Sequence, residues 1–449
     1  MTAPSSRAQT AKIVTAGSIA LIAASSAVVM LLFLARFGTA TAADGALAAY
    51  SAYVLTTVFA QGCRITGAAA VGGANPRVQP AELAWTLGLT GTALAVLFVV
   101  AAAPLADALT ATDSAAGAAR DTLPVLGLGV ASQFYAVAWA VLLGLQGRVT
   151  SASVSLAIGG VASLVAFVLL APRVGVAALG WSTLFSGGIA CLVMATRTGV
   201  RVAAVQWRRI RATGGLLLRE NLVPLFSTTV YAEAVVIAGS LPGDGPSQDP
   251  GGTAAFALAF LVSSYICGIL GTSVAIVDTI ELSSDVDGVG ARLQRTLPAA
   301  LRVVYPAGAA VMAVGAIAAP IALGLLGSSS TTEDGALVGV LLLGLAPFTF
   351  ATLATNVAFS CWFSAARVGA LNRGLWFAMP LSLVAIGGGF LAFDLYGAAI
   401  GINVTTLAFA WWALRPAPSV MAFAVRRAGA LLAVLAAVGI AGAGAGVLS

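Results

Sequence analysis

The sequence predicts an all-α protein that crosses a lipid bilayer many times. Of its 449 residues, 60% are hydrophobic and only 8% are charged. Soluble proteins carry about 25% charged residues, so water cannot be the main solvent of this chain. The apolar residues form long runs, and the few charged residues lie mostly between them. Because backbone groups in lipid must be hydrogen-bonded internally, we predict that these runs are helices.

Composition also restricts the chemistry that the chain can perform. The sequence contains no histidine, which excludes His-based acid–base catalysis, His-activated nucleophiles and His metal sites. The four cysteines lie far apart in apolar runs, which predicts buried thiols rather than disulfides or a zinc site. They are Cys63, Cys191, Cys267 and Cys361. We therefore expect no enzymatic activity, no cofactor and no metal site.

The first apolar run could be a signal peptide or a retained membrane helix. Arg7 and Lys12 precede it, and it extends over residues 13–35. At about 23 residues it exceeds the 7–15 residues of a signal-peptide core. We predict that it is a retained first span.

Thirteen apolar runs approach or exceed the roughly 20 residues that a membrane-spanning helix needs. They lie at residues 13–35, 46–71, 83–105, 122–145, 151–171, 175–195, 215–240, 253–277, 298–326, 336–364, 369–392, 394–414 and 428–448.

The distribution of charge supports this count, because basic residues concentrate in cytoplasmic loops. With a cytoplasmic N-terminus, 18 of the 22 basic residues fall on the cytoplasmic side. Only Arg36, Arg120 and Arg173 fall on the outer side, where carboxylates such as Asp44 and Asp394 lie. We predict a multi-pass protein of the cytoplasmic membrane with its N-terminus in the cytoplasm.

One strongly basic connection divides the chain near its middle. It contains Trp207-Arg208-Arg209-Ile210-Arg211. Arginines beside an aromatic anchor are typical of segments on an anionic membrane surface, and no surrounding domain favours nucleic acid. The predicted organisation is an N-terminal lobe at 1–196, this interfacial connection at 197–214, a C-terminal lobe at 215–414 and an extra helix at 415–449.

Spans 3–6 resemble spans 9–12, which indicates an internal repeat. The matching segments are Ala103-Pro104-Leu105 with Ala319-Pro320-Ile321, Leu126-Gly127-Leu128 with Leu343-Gly344-Leu345, Arg148-Val149 with Arg367-Val368, and Ala177-Ala178-Leu179-Gly180 with Ala398-Ala399-Ile400-Gly401. An offset of six spans preserves orientation, so we predict a parallel repeat about a pseudo-two-fold axis along the membrane normal. Repeats of this kind build transporters with a substrate site between the halves.

Two later segments follow the pattern of a known superfamily. They are Pro320…Leu325-Leu326-Gly327 and Leu345-Ala346-Pro347-Phe348, the second followed by small residues up to Ala366-Arg367. Together with the repeat, they resemble the ninth and tenth helices of the multidrug/oligosaccharidyl-lipid/polysaccharide (MOP) exporter superfamily. The resemblance covers most of residues 13–414. It implies two six-helix lobes, here followed by one extra C-terminal helix.

The early part of the chain is similar to the MviN-type lipid II flippase branch of that superfamily. The similar segments are Ala35-Arg36-Phe37-Gly38, Ala43-Asp44 and Phe59-Ala60-Gln61-Gly62. The chain departs from that branch at Gln61, which replaces a glutamate, and at residues 13–34, which contain no arginine. The resemblance implies a polyprenyl-diphosphate-linked glycan, a cell-wall or polysaccharide precursor, as the substrate.

Polar residues in or beside the spans are the candidates for substrate contact. A diphosphate needs cationic and hydrogen-bonding groups, and arginine binds two phosphate oxygens at once. Arg64 lies about 10 Å before the inner end of span 2, where it contacts the diphosphate or snorkels to the head groups. Arg36, just past span 1, is a substrate contact or a surface anchor. Gln61, Gln133 and Asn356 complete the candidate set.

Span 7 supplies the candidates for coupling or gating, Glu220, Pro224 and Glu233. Glu220 follows Arg219, so it could form an interfacial pair or take part in gating. Glu233 lies about 20 Å deeper and binds a proton or cation, or lies at the outer edge of the span. A carboxylate at mid-helix costs about 2.5–3.5 kcal/mol. Pro224 is expected to bend the span.

We therefore expect a transporter that flips a lipid-linked glycan by alternating access. It would act as a monomer among membrane lipids, with a coupling cation or proton and without nucleic acid. The alternative is a cation-coupled exporter of drugs or other small molecules with the same fold. A membrane glycosyltransferase would need a larger catalytic loop than this chain offers. A non-transporting scaffold with a degenerate cavity also stays open.

Overall fold

The structure, a computed structural model, is helical throughout the part of the chain that it describes. The described residues are 6–38, 41–72, 77–198, 205–240, 247, 251–282, 288–326, 332–365 and 367–445. Within these ranges there are fifteen α-helices and no strand. The predicted all-α class is confirmed.

The helices of the first half of the chain are α1 (Ser6–Phe37), α2 (Thr41–Gly72), α3 (Pro80–Val100), α4 (Ala102–Leu109), α5 (Asp113–Leu145), α6 (Val149–Val174), α7 (Ala178–Thr198) and α8 (Trp207–Glu220). The second half contains α9 (Leu222–Ser240), α10 (Gly252–Leu282), α11 (Val289–Leu326), α12 (Thr332–Gly344), α13 (Ala346–Ser364), α14 (Val368–Leu414) and α15 (Pro418–Gly444).

The chain divides into two compact units, and the second unit includes a short segment from early in the sequence. Unit 1 comprises Met1–Met30 and Gly45–Ala232. Unit 2 comprises Leu31–Asp44 and Glu233–Ser449. The segment that joins unit 2 early in the chain is held there by the carboxylate of Asp44. Its oxygens accept the amides of Gly251 and Ala254, at 3.2 and 3.0 Å, and so cap the N-terminus of α10.

Within the described residues most predicted spans lie on single helices. Span 3 crosses the break between α3 and α4, span 7 that between α8 and α9, and span 10 that between α12 and α13. Seven helical stretches of the described chain are long and apolar enough to cross a bilayer, and an eighth is the pair α12 and α13, bent by 50°. Three shorter apolar helices cover Ala24–Phe37, Thr229–Gly239 and Gly252–Cys267. Two of the seven stretches, Val149–Thr198 with 50 residues and Gly369–Leu414 with 46, are about twice the length that a bilayer needs. Each of these two is a hairpin that supplies two of the predicted spans.

The hairpin in α14 turns at Phe393 and Asp394, which interrupt the helical backbone. Asp394 has φ 53°, and its carboxylate accepts the amide of Ser247 at 3.1 Å. On either side of the turn, Gly389 and Gly397 lie so close that a Cβ on one would collide with the carbonyl oxygen of the other. The two arms therefore run antiparallel with their backbones in contact, as the predicted boundary between spans 11 and 12 requires.

The helices of unit 1 pack through small residues. Gly127 lies against Ala95 and Phe98, and Gly91 lies against Phe134, so α3 and α5 run antiparallel. The contacts of α5 with α7 run in parallel register, with Gly129 against Thr183 and Gly187 against Ser132. The second half of the chain repeats this pattern of contacts.

In unit 2, α11 runs antiparallel to α12 and α13, with Gly315 against Leu342 and the rings of Tyr305 and Phe350 5.0 Å apart. The second arm of α14 runs parallel to α13, and Trp362 Nε1 donates to the Ala413 carbonyl oxygen at 3.0 Å. The pattern matches that of α3, α5 and α7 in unit 1.

The matching loop arginines occupy equivalent positions as well. Arg148 is the N-cap residue of α6, and Arg367 is the N-cap residue of α14. The amide of each donates to the carbonyl five residues earlier, that of Leu143 at 2.9 Å and that of Trp362 at 3.1 Å. The internal repeat predicted from the sequence is therefore present in the packing and in the backbone hydrogen bonds.

Span 7 begins later than the sequence predicted. Residues 215–220 belong to α8, Asn221 separates the two helices, and α9 begins at Leu222. Pro224 is the third residue of α9, where a missing amide removes no bond within that helix. The same missing amide prevents a continuous helix through Glu220. The proline therefore does not bend α9. It instead contributes to the break between α8 and α9, at Asn221 within the predicted span.

We expect that replacing Gly397 by alanine destabilises the protein, because the new Cβ would collide with the carbonyl of Gly389. Overpacking of this kind costs about 1–3 kcal/mol. The measurement is the apparent melting temperature of the purified protein in detergent. Gly388→Ala is the matched control, since a Cβ there would have no atom within 4 Å and alanine favours helix. Equal melting temperatures for the two variants would contradict the close packing of the arms.

Candidate functional site

A polar stripe follows one face of α2 and contains two of the predicted site residues. Thr57, Gln61 and Arg64 are spaced four and three residues apart, so their side chains lie on the same side of the helix. All three are partly exposed. Ala60 and Cys63, on the other side, are fully buried. The buried face packs α2 into unit 1 and leaves the polar stripe at the surface of the helix.

The orientation of this face is set by contacts of the buried side. Cys63 Sγ accepts a hydrogen bond from Asn221 Nδ2 at 3.5 Å. Asn221 is itself buried and also donates to the Leu217 carbonyl at 2.8 Å. One turn earlier, the rings of Phe59 and Phe134 are 6.1 Å apart and join α2 to α5. These contacts prevent α2 from rotating to bury Arg64.

Arg64 and Gln61 form no hydrogen bond or ion pair with any other residue that the structure describes. Arg64 lies within the apolar run of α2, seven residues before that run ends at residue 71. An arginine in the middle of a membrane span costs about 2.5–3.5 kcal/mol on insertion scales. No carboxylate of the described chain pairs with this cation, so its guanidinium is available to bind a ligand.

The other predicted substrate contacts lie on other helices. Arg36 is exposed at the end of α1, with its guanidinium carbon 5.8 Å from the Phe37 ring centroid. Gln133, on α5, is partly buried and has no hydrogen-bond partner among the described residues. Asn356, on α13, donates to the Cys267 carbonyl at 3.3 Å and so joins α13 to α10. The structure thus places only Gln61 and Arg64 together on one helix.

Glu233 lies on α9 against the first arm of α14. Its Oε2 is 2.7 Å from the hydroxyl of Ser382, which is also 2.6 Å from the Met379 carbonyl oxygen. A hydroxyl has one hydrogen, so Ser382 can donate to only one of these two acceptors at a time. If Glu233 is protonated, it can donate to the Ser382 oxygen while the serine donates to the Met379 carbonyl. Only in that state are both contacts hydrogen bonds. The geometry therefore suits a carboxyl group that gains and loses a proton.

Glu220 is part of a charged cluster at the ends of α3 and α8. It pairs with Arg77 at 2.7 Å, and Glu82 pairs with Arg209 at 3.0 Å. A cavity of about 650 Å³ lies among these side chains. The sequence suggested Arg219 as the neighbour of Glu220. The sequence analysis did not single out Glu82. A capping-box pattern, Gln79-Pro80-Ala81-Glu82 at the start of α3, could have indicated it.

Comparison with solved structures shows the same chain path in known membrane transporters. A structure of the lipid II flippase MurJ in an inward closed conformation aligns with a TM-score of 0.74 at 12% identity, over 95% of this chain and 91% of that one. An inward-facing multidrug resistance MATE family transporter aligns with a TM-score of 0.63 at 15% identity, over 94% and 98%. The chain has the fold of the MOP superfamily.

A third structure with the MOP fold, a transporter from Pyrococcus furiosus, aligns with a TM-score of 0.54 at 16% identity, over 94% of this chain and 96% of that one. No protein-family model and no curated protein matches the sequence. The MOP fold confirms the predicted fold class. This fold and the long apolar helices of the described residues indicate a multi-pass membrane protein.

We expect cysteines at positions 61 and 64 to react with a charged, water-soluble thiol reagent, because a functional polar stripe must meet water. The variants Gln61→Cys and Arg64→Cys would be made after replacing the four native cysteines by alanine. The measurement is the labelled fraction in proteoliposomes, from the mass of the intact protein. Val96→Cys is the control, because Val96 is an apolar side chain of α3 with 56% exposure. Labelling no greater than at position 96 would place the stripe in lipid.

Proposed function

We propose that this chain is a transporter that flips a polyprenyl-diphosphate-linked glycan across the cytoplasmic membrane by alternating access. The observation that carries the proposal is the guanidinium of Arg64 beside Gln61 on α2, which has no hydrogen-bond or ion-pair partner among the described residues. A diphosphate offers several acceptor oxygens to the planar fork of one arginine. The amide of Gln61 adds both a donor and an acceptor for the sugar or the phosphate.

The depth of Arg64 suits the head group of a membrane lipid. Arg64 is eight residues from the end of α2 at Gly72, or about 12 Å along the helix. Residues 65–71 beyond it are apolar, so Arg64 lies about 10 Å inside the end of the span, where its long side chain can reach a phosphate that enters from the cytoplasmic head groups. In this proposal, Arg64 binds the diphosphate as it leaves the cytoplasmic leaflet, while the polyprenyl tail stays in the bilayer.

The similarity to a lipid II flippase supports the substrate class. That structure aligns over 95% of this chain with a TM-score of 0.74, against 0.63 for the MATE transporter. We propose a cytoplasmic N-terminus and a monomeric protein without enzymatic activity. Its lobes would be residues 1–196 and 215–414. The other three candidates have lesser parts in this proposal. Arg36 serves as a surface anchor, and Asn356 joins α13 to α10. Gln133 has no hydrogen-bond partner among the described residues, so it can still contact the substrate.

Coupling to a proton is assigned to Glu233 in this proposal. The shared hydroxyl of Ser382 satisfies all its neighbours only when the carboxyl group is protonated. When Glu233 loses its proton, the serine can donate to the carboxylate or to the Met379 carbonyl, but not to both. The remaining contact then joins two oxygens without a hydrogen between them, which favours a different packing of α9 and α14. A proton that binds and leaves Glu233 would thereby drive the change between the two access states.

Glu233 also supports the alternative, a cation-coupled exporter of small molecules. A buried carboxylate that binds a proton or a cation serves such an exporter equally well, and two of the aligned structures are a MATE transporter and another MOP transporter. The two functions differ in their need for Arg64, because an exporter of cationic drugs gains nothing from an unpaired guanidinium.

We expect Arg64→Ala to abolish flipping of a fluorescent polyprenyl-diphosphate glycan in proteoliposomes, because the diphosphate loses its bidentate partner. Arg64→Lys should retain partial activity, since lysine keeps the charge but not the fork. Arg36→Ala is the matched arginine control and should flip at near the wild-type rate, because Arg36 is exposed and lies beside the Phe37 ring at the end of α1. Wild-type flipping by Arg64→Ala would remove Arg64 from the mechanism. Efflux of cationic dyes by that variant would favour the exporter.

We expect Glu233→Gln to remove the dependence of transport on a pH gradient, because the amide cannot exchange a proton. Ser382→Ala is the control that removes the hydrogen bond but keeps the carboxyl group. It should slow transport while the response to the gradient persists. The measurement is the transport rate in proteoliposomes with and without an imposed pH gradient. A gradient response in Glu233→Gln equal to that of the wild type would exclude Glu233 as the coupling group.

A further inference from the structure

The helix α8 lies at the membrane surface because of its neighbours in the chain. It follows α7, which ends a membrane-crossing hairpin at Thr198, and only Asn221 separates it from the apolar helix α9. Its partner in unit 1 is the first turn of α3, another membrane-crossing helix. A helix tied at this position cannot extend far into water, and its composition is too basic to enter hydrocarbon.

Polar contacts fix which face of α8 points away from the protein. Arg209 pairs with the nearly buried carboxylate of Glu82 at 3.0 Å. The hydroxyl of Thr86 lies 3.3 Å from the Ile210 carbonyl oxygen and 2.7 Å from the Glu82 carbonyl oxygen, and it can donate to only one of them at a time. Ile210, Thr213 and Leu217 form the buried side. The opposite face is therefore presented outward in one orientation.

The outward face combines two arginines with two large apolar side chains. Arg208 and Arg211 are exposed and three residues apart, and neither has an ion pair or hydrogen bond within the described chain. Trp207 and Leu218 beside them are 63% and 54% exposed. Tryptophan prefers the boundary between head groups and acyl chains, and arginine binds phosphate oxygens. A face with this mixture matches the surface of an anionic bilayer.

We infer that Arg208 and Arg211 of α8 bind the phosphate groups of anionic phospholipids, with Trp207 and Leu218 inserted beside them. The occupant is a lipid rather than a nucleic acid because the exposed apolar side chains need hydrocarbon and the helix lies at the ends of membrane helices. Because the contacts with α3 hold α8 in place, both arginines stay on its outward face and can meet the same lipid surface. This inference does not depend on the identity of the transported substrate.

The test is a titration of the full-length protein with phosphatidylglycerol, followed by native mass spectrometry. The variant Arg208→Gln/Arg211→Gln should bind this lipid about thirtyfold more weakly than the wild type, because each arginine near an anionic surface contributes about a factor of five to six. Phosphatidylcholine should bind the variant and the wild type alike. The control Arg426→Gln/Arg427→Gln removes the same charge from exposed positions on α15 and should change the affinity less than about threefold.

Equal weakening by the two double variants would overturn the inference, because binding would then reflect net charge alone. Unchanged affinity of the α8 variant would overturn it as well. Competition by millimolar inorganic phosphate would show a site for free anions, and competition by transfer RNA would show a nucleic-acid site. Arg208→Lys/Arg211→Lys guards against misfolding: it retains the charge and should keep most of the affinity.

Discussion

The absence of water from the hydrocarbon core of the bilayer is the constraint on which this structure depends. Every backbone amide and carbonyl there needs a partner within the protein. The chain meets this need with helices, and at two places in the described chain a side chain supplies bonds that a helix end lacks. At the break between α12 and α13, Asn403 accepts the Phe348 amide at 2.8 Å and donates to the Gly344 carbonyl at 2.7 Å. Asp44 caps α10 in the same way.

The same constraint explains how the scarce charge is distributed. Ion pairs of the described chain lie at helix ends, as Arg77 with Glu220 and Arg120 with Asp107 illustrate. A charge inside a span has no solvent, so it must be paired, protonated or reserved for a ligand. Glu233 has a serine partner, whereas Arg64 has no partner among the described residues.

Small residues determine how closely the helices approach, because no hydrophobic force draws helices together in lipid. Glycines of α3, α5, α7 and α14 lie against neighbouring backbones or side chains where any larger residue would collide. This packing recurs in both units and gives the two halves of the sequence matching architecture. At one matched pair, Gly180 and Gly401, both glycines lie close to a neighbouring helix or helix arm, so the weak sequence repeat reflects a packing requirement there.

The sequence by itself determined that lipid is the main solvent, that the chain is helical and where most of the spans lie, and its motifs predicted the MOP fold. Apolar runs and charge asymmetry are local properties, and lipid leaves a chain with such runs no alternative to helix. Only the tertiary structure decided which polar residues are paired. Glu220 pairs with Arg77, 143 residues away, and Asn356 donates to the carbonyl of Cys267. Arg64 has no such partner among the described residues. Pairing depends on contacts between distant helices, and those contacts arise from packing that no local pattern contains.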